Sequence, residues 1–177
     1  MSLTPSRKIS EEILFTNNWW SYKRDAYELP SGKRAEYHYV DSRGSAMVIP
    51  LHEDGSITLV RQYRYLNERE SVEFACGGVQ AGRTHEEMAA LELAEEAGLR
   101  ADVLECIGEF NPFNGATNEL CRVFLATQLH AVAAQPDETE EFEILRVTPT
   151  TVHAWIREKI IWDGMTLAAW MIFLNRT

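Results

Sequence analysis

The chain has 177 residues, 45% of them hydrophobic and 25% charged, with a formal net charge of -10. That balance suits one folded domain with a core of its own. The excess of acid excludes a broad nucleic-acid-binding face, which needs clustered Lys and Arg, but not a small phosphorylated ligand bridged to carboxylates by a metal ion.

In chain order, residues 12–40 carry Ile, Phe, Trp and Tyr and break at Pro30-Ser31-Gly32-Lys33, which predicts two strands joined by a turn. Residues 44–51 and 57–65 read as strands separated by the Asp54-Gly55 turn. Residues 71–76 read as one short strand running into Gly77-Gly78. From 84 to 97 the composition turns to Met, Ala, Leu and Glu, which predicts a helix. Thr84 and Glu87 have capping-box spacing, and Gly98 stands where a left-handed C-terminal cap belongs. Strands are expected over 103–110, 121–129 and 141–147, and helices over 151–158 and 166–174, the last capped by Asp163. The order predicts a mixed α/β domain built in layers.

The apolar run 165–174 is about half a membrane span, so it is read as a buried helix and no membrane segment is expected. The first residues are polar and charged and make no secretory signal. Cys76, Cys106 and Cys121 are widely spaced and odd in number, matching neither a zinc pattern nor a disulfide framework; a reduced, cytoplasmic setting follows.

The segment richest in chemistry is Gly77-Gly78-Val79-Gln80-Ala81-Gly82-Arg83 followed by Leu91-Glu92-Leu93-Ala94-Glu95-Glu96-Ala97-Gly98-Leu99. Glu92, Glu95 and Glu96 stand at i, i+3 and i+4, which puts three carboxylates on one helix face. A solvated acidic face is the plain reading of that spacing. The glycine-bent loop directly before it favours ligation of a hard divalent cation instead.

This segment resembles the box of the Nudix family: a glycine, five residues, a glutamate, seven residues, then Arg-Glu-apolar-any-Glu-Glu-any-Gly-apolar. Gly77, Glu92, Leu93, Glu95, Glu96, Gly98 and Leu99 match in register. Arg83 stands at the expected glutamate and Leu91 at the expected arginine. The segments Val60-Arg61-Gln62-Tyr63-Arg64-Tyr65, Val72-Glu73-Phe74-Ala75-Cys76-Gly77 and Ile161-Trp162-Asp163-Gly164-Met165-Thr166 are similar to the ADP-ribose pyrophosphatase branch. The resemblance implies an α/β/α sandwich with a mixed sheet, residues 44–177, preceded by an N-terminal antiparallel strand extension over 1–43 that forms a homodimer.

It further implies Mg2+, with Mn2+ as a substitute, held by Glu92, Glu96 and the Cys76 carbonyl, with Glu95 a further ligand or base. Arg64 would contact the diphosphate, and Arg61, on the opposite strand face, would not. Trp19 and Tyr37 would clamp the base across a dimer, although core packing is the commoner fate of strand aromatics. The water-activating base would be Glu141, with Glu119 as second candidate, and the segment 135–141 would close over substrate. An Arg83 reaching Glu95 or Glu92 would replace the missing arginine while Leu91 packs inward. The implied reaction is hydrolysis of the diphosphate of ADP-ribose or another nucleoside diphosphate sugar, such as GDP-mannose. The rivals are a degenerate domain that binds nucleotide without cutting it and a partner-binding module using the aromatic N-terminal region.

Overall fold

The structure is a computed structural model and describes residues 4–134 and 141–176. Three strands open the chain: β1 (Arg7–Thr16), β2 (Trp20–Glu28) and β3 (Arg34–Ser42), forming an antiparallel sheet of their own. The sequence suggested two strands here. The break it concealed is at Asn17, whose side-chain oxygen accepts from the Trp19 and Trp20 amides, both at 2.9 Å. That Asx turn reverses the chain without glycine or proline. The expected turn at Pro30 is present, with Gly32 at φ 82° and its amide donating to the Leu29 carbonyl at 2.8 Å.

Seven further strands follow among the described residues: β4 (Ser45–Pro50), β5 (Ile57–Arg64), β6 (Arg69–Glu73), β7 (Cys76–Gly78), β8 (Leu99–Phe110), β9 (Cys121–Ala131) and β10 (Glu143–Val147). The helices are α1 (His85–Glu95), α2 (Pro149–Arg157) and α3 (Gly164–Leu174). One sheet has the order β7-β4-β9-β8 and is mixed, because β4 and β9 run parallel and the other pairs antiparallel. A second sheet, β10-β5-β6, is antiparallel.

The single strand expected over 71–76 is two strands in two sheets. The chain changes sheet at Phe74-Ala75 because those backbone groups bond elsewhere. The Phe74 amide donates to the Thr166 hydroxyl at 3.3 Å, and the Ala75 carbonyl accepts from the Val48 amide at 3.0 Å.

β4 fixes the layering. Met47 and Ile49 pack into a cluster with Val152 of α2 and Trp170 and Phe173 of α3. Ala46 and Val48, on the other face, pack with Met88, Ala89 and Leu93 of α1. β9 divides in the same way, Val123 and Leu125 against Phe124 and Ala126. Strands covered on both faces read as unbroken apolar runs, as these do. The result is the expected α/β/α sandwich. The apolar run near the C-terminus is α3, whose Trp170 and Phe173 are buried. Among the described residues no helix is long and apolar enough to cross a membrane.

Candidate metal and diphosphate site

The glutamate helix is positioned at both ends. Thr84 accepts from the Glu87 amide at 3.2 Å, and the Glu87 carboxylate accepts from the Thr84 amide at 2.7 Å, so the capping box is complete. Past the last turn, Gly98 takes φ 62°, the left-handed conformation expected of it. These two ends set the rotation of α1 and so the direction of its acids.

Glu92 and Glu96 both meet the start of β7. A Cβ added to Gly77 would stand 1.8 Å from Glu92 Oε1, so the carboxylate rests against bare backbone. Glu96 is 6% exposed, and its Oε2 accepts from the Cys76 amide at 3.1 Å. Glu95 is half-buried at the end of the helix. Glu92 and Glu96 therefore converge on the strand rather than spread into solvent.

Among the described residues no three His, Cys, Asp or Glu side chains form a ready-made cage. The donors that the geometry offers are the helix carboxylates and the neighbouring main chain. They are all oxygen, which fits a hard divalent cation that keeps part of its water shell. The Cys76 thiol lies against Cys121. Contact with that thiol, burial, and the Glu96 and Glu92 charges push its pKa well up. It stays protonated, which removes it as a nucleophile.

Arg64 stands at the end of β5. Its Nε donates to Glu73 Oε1 at 2.8 Å, and its Nη2 donates to Glu73 Oε2. Glu73 is only 2% exposed, whereas the Arg64 side chain is 44% exposed, so a buried carboxylate braces a guanidinium that still reaches solvent. This pairing raises the arginine pKa further, helped by the charges of Asp163 and Glu96. Arg64 thus shares an electrostatic field with the glutamate helix. Arg61, three residues back, pairs instead with Glu70 and Glu143, as strand alternation requires. Glu73 was not singled out from sequence. Its signal was a lone acid inside the apolar run Val72-Glu73-Phe74-Ala75.

Comparison with known proteins decides the family. The model for the NUDIX domain matches residues 41–162. This chain belongs to the Nudix family. It is 29% identical over 171 residues to the ADP-ribose pyrophosphatase of Bacillus subtilis (strain 168), covering 96% of this chain and 92% of that one. It is 28% identical over 169 residues to the methanol dehydrogenase activator of Bacillus methanolicus, covering 94% and 91%. A solved structure described as "Crystal structure of ADP compounds hydrolase" superimposes with a TM-score of 0.84 at 19% identity, over 99% of this chain and 95% of that one, which shows a common fold.

Within the Nudix box the two unusual positions have different surroundings. Leu91 is half-buried and packs against the α1 cluster, as expected of an apolar residue there. Arg83 is exposed just before α1, and its charge helps to lower the Glu87 pKa, behind the hydrogen bonds from Thr84.

The remaining candidates lie farther out. Trp19 is not on a strand but in the β1–β2 turn, and it is 73% exposed. Tyr37 lies on β3 opposite Asp25, and its hydroxyl donates to the Gly115 carbonyl at 3.0 Å. Trp20, beside Trp19, pairs with Ser42; five strand residues at about 3.3 Å each therefore separate the two aromatics, so they do not clamp one ring within a chain. Glu119 is half-buried and accepts from the Ser45 hydroxyl at 2.6 Å. Glu141 is exposed just before β10. Of the segment expected to close over substrate, residues 135–140 lie outside the described residues.

Proposed function

We propose that the chain hydrolyses the diphosphate bond of ADP-ribose or a related nucleoside diphosphate sugar, with Mg2+ as its cofactor and Mn2+ as a substitute, in the cytoplasm. The observation that carries this reading is the convergence of Glu92 and Glu96 on the Cys76–Gly77 backbone, with Arg64 in their field. The similarity to the Bacillus subtilis ADP-ribose pyrophosphatase along nearly the whole chain supports the substrate class.

In this reading Glu92, Glu96 and the Cys76 carbonyl hold the cation, and Glu95 is a further ligand or base. Bound there, the cation would neutralise phosphate oxygens and acidify the attacking water. Arg64 binds the diphosphate, because a planar fork pairs two phosphate oxygens and Glu73 fixes its direction beforehand. Glu141 takes the proton of the water; Glu119, already engaged by Ser45, is the weaker candidate. Arg83 supplies the positive charge that the usual box arginine gives the helix acids. Trp19 and Tyr37 of two different subunits hold the base, with residues 1–43 as the dimer-forming extension of the domain over 44–177.

Purified protein given ADP-ribose and Mg2+ should release AMP and ribose 5-phosphate, read by chromatography, and Glu96→Gln should lose at least a hundredfold in kcat. Arg83→Ala should lower metal-dependent turnover sharply; unchanged kinetics would dispose of its role. A second reading is favoured by the loss of both charged partners at Arg83 and Leu91: a domain that binds nucleotide without cutting it. Saturable ADP-ribose binding with no product from any nucleotide sugar, with either metal, would establish that reading instead.

A further inference from the structure

A cavity of about 360 Å³ opens on the α2 side of the sheets, lined by β5, β6 and the chain that follows α2. Arg61 enters it from the strand face opposite Arg64, and none of the residues that line it belongs to the glutamate helix or to β7. Its apolar wall is Leu145, Trp155 and Ile160. Its cations are Arg61, Arg69 and Lys159; among the described residues Glu70 lines it, and Glu143 reaches Arg61 from beside it.

These cations are unequally engaged. Arg61 is bound by Glu70 at 3.5 Å and Glu143 at 3.0 Å, yet its Nε is buried with no hydrogen-bond partner among the described residues. Arg69 lies over Trp162, its guanidinium carbon 3.6 Å from the ring centroid. A guanidinium held over a ring by this cation–π contact keeps N–H donors that an anion can use. Trp162 is itself anchored, its indole donating to the Glu70 carbonyl at 3.0 Å. Lys159 takes φ 62° just past α2, a left-handed position where glycine is the usual residue. A lysine held there at the expense of backbone strain puts a cation where the fold alone would favour none.

We propose that this cavity is a second ligand site, distinct from the metal site, that takes a nucleoside monophosphate. The phosphate sits on Arg69 and Lys159, and the base packs on the apolar wall beside Trp155. The volume lies near the lower end of the range for small-ligand sites, roughly 300–1,000 Å³, and suits one mononucleotide better than an intact nucleotide sugar. The ligand class follows from the lining and does not depend on the proposed reaction.

The five tryptophans give five indole N–H signals in a 15N spectrum, assigned with Trp155→Phe and Trp162→Phe. AMP is titrated into the full chain without divalent metal. The expected result is a saturable shift of the Trp155 and Trp162 signals. It should be at least tenfold weaker in Arg69→Gln/Lys159→Gln and unchanged in Arg64→Ala. Inorganic phosphate and adenosine, titrated separately, should each bind at least tenfold more weakly than AMP. Both substituted side chains are exposed, so signal dispersion in the double variant reports that it folds. Shifts confined to Trp19 and Trp20, shifts unaffected by the double variant, shifts lost in Arg64→Ala, or no shift at millimolar AMP would each overturn the assignment.

Discussion

Gly77 is defined by the atom it lacks. A methyl group there would overlap the Glu92 carboxylate, with 1.8 Å between Cβ and Oε1. Its φ is not in the left-handed region, so alanine would be accepted by the backbone and rejected by the acid. Gly77→Ala should therefore fold, with little change in melting temperature, but turn Glu92 aside. Activation by Mg2+ should require at least tenfold more metal, and kcat should fall; an unaltered metal titration would refute the contact. Arg64 makes a different point. Its N–H fork is directed by buried Glu73, so Glu73→Gln should raise KM for the diphosphate substrate at least tenfold while much of kcat survives, measured by initial rates. The two residues differ in how they could be read. Glu92, Glu95, Glu96 and Gly77 follow one another at helical and loop spacing, so the sequence carries their association. The partner of Arg64 is set by the cross-strand register of β5 and β6, which no local spacing encodes.

At the scale of elements, the site depends on two helix N-termini. The Thr84 cap fixes the phase of α1, and Thr84→Ala should cost about 1 kcal/mol in urea unfolding, with the midpoint shifted and the slope kept. The α3 cap reaches farther. Asp163 accepts from the Thr166 amide at 2.7 Å, and the fully buried Thr166 hydroxyl accepts from the Phe74 amide where the chain passes from β6 to β7. Thr166→Val keeps the volume but removes that acceptor. It should cost about 1–3 kcal/mol by thermal or urea unfolding, the penalty of an unpaired buried amide. Because the junction lies between Glu73 and Cys76, turnover should fall as well; unchanged stability and turnover would show the bond to be dispensable. Helix α1, its cap and the doubly buried strand β4 were legible because composition and periodicity are local. The split of β6 from β7 was not, because the hydrogen bonds that impose it come from Val48 and Thr166, far along the chain. The turn at Asn17 was hidden for another reason: a side chain did the work usually marked by Gly or Pro.

The whole molecule should respond to pH through two half-buried histidines. Burial lowers the pKa of His52, with the Arg146 charge adding to it, and burial lowers that of His85, with Arg122 adding to it. The unfolded chain then binds more protons than the folded one below about pH 6.5, so their contribution is complete above that value and is lost as pH falls toward the folded pKa values. Melting temperature should decline on acidification from pH 7 to 5, and His52→Gln/His85→Gln should flatten that decline. The assembly is governed by a different imbalance. Every residue of β1 is exposed, including Ile9, Ile13, Leu14 and Phe15, and Trp20 and Tyr22 of β2 are exposed as well. A three-stranded sheet with such apolar surface in water gains little from folding alone and is stabilised when a partner covers it. In the proposed function that partner is a second copy of the chain, and the separation of Trp19 from Tyr37 within one chain would supply the functional reason. Light scattering should give twice the mass of one chain. Ile13→Glu/Phe15→Glu should give a monomer with an intact sandwich by circular dichroism and at least a tenfold rise in KM for ADP-ribose, because each base would lose the aromatic contributed by the other subunit. A monomeric wild type with full activity would reject the shared clamp and leave the exposed sheet unexplained by catalysis.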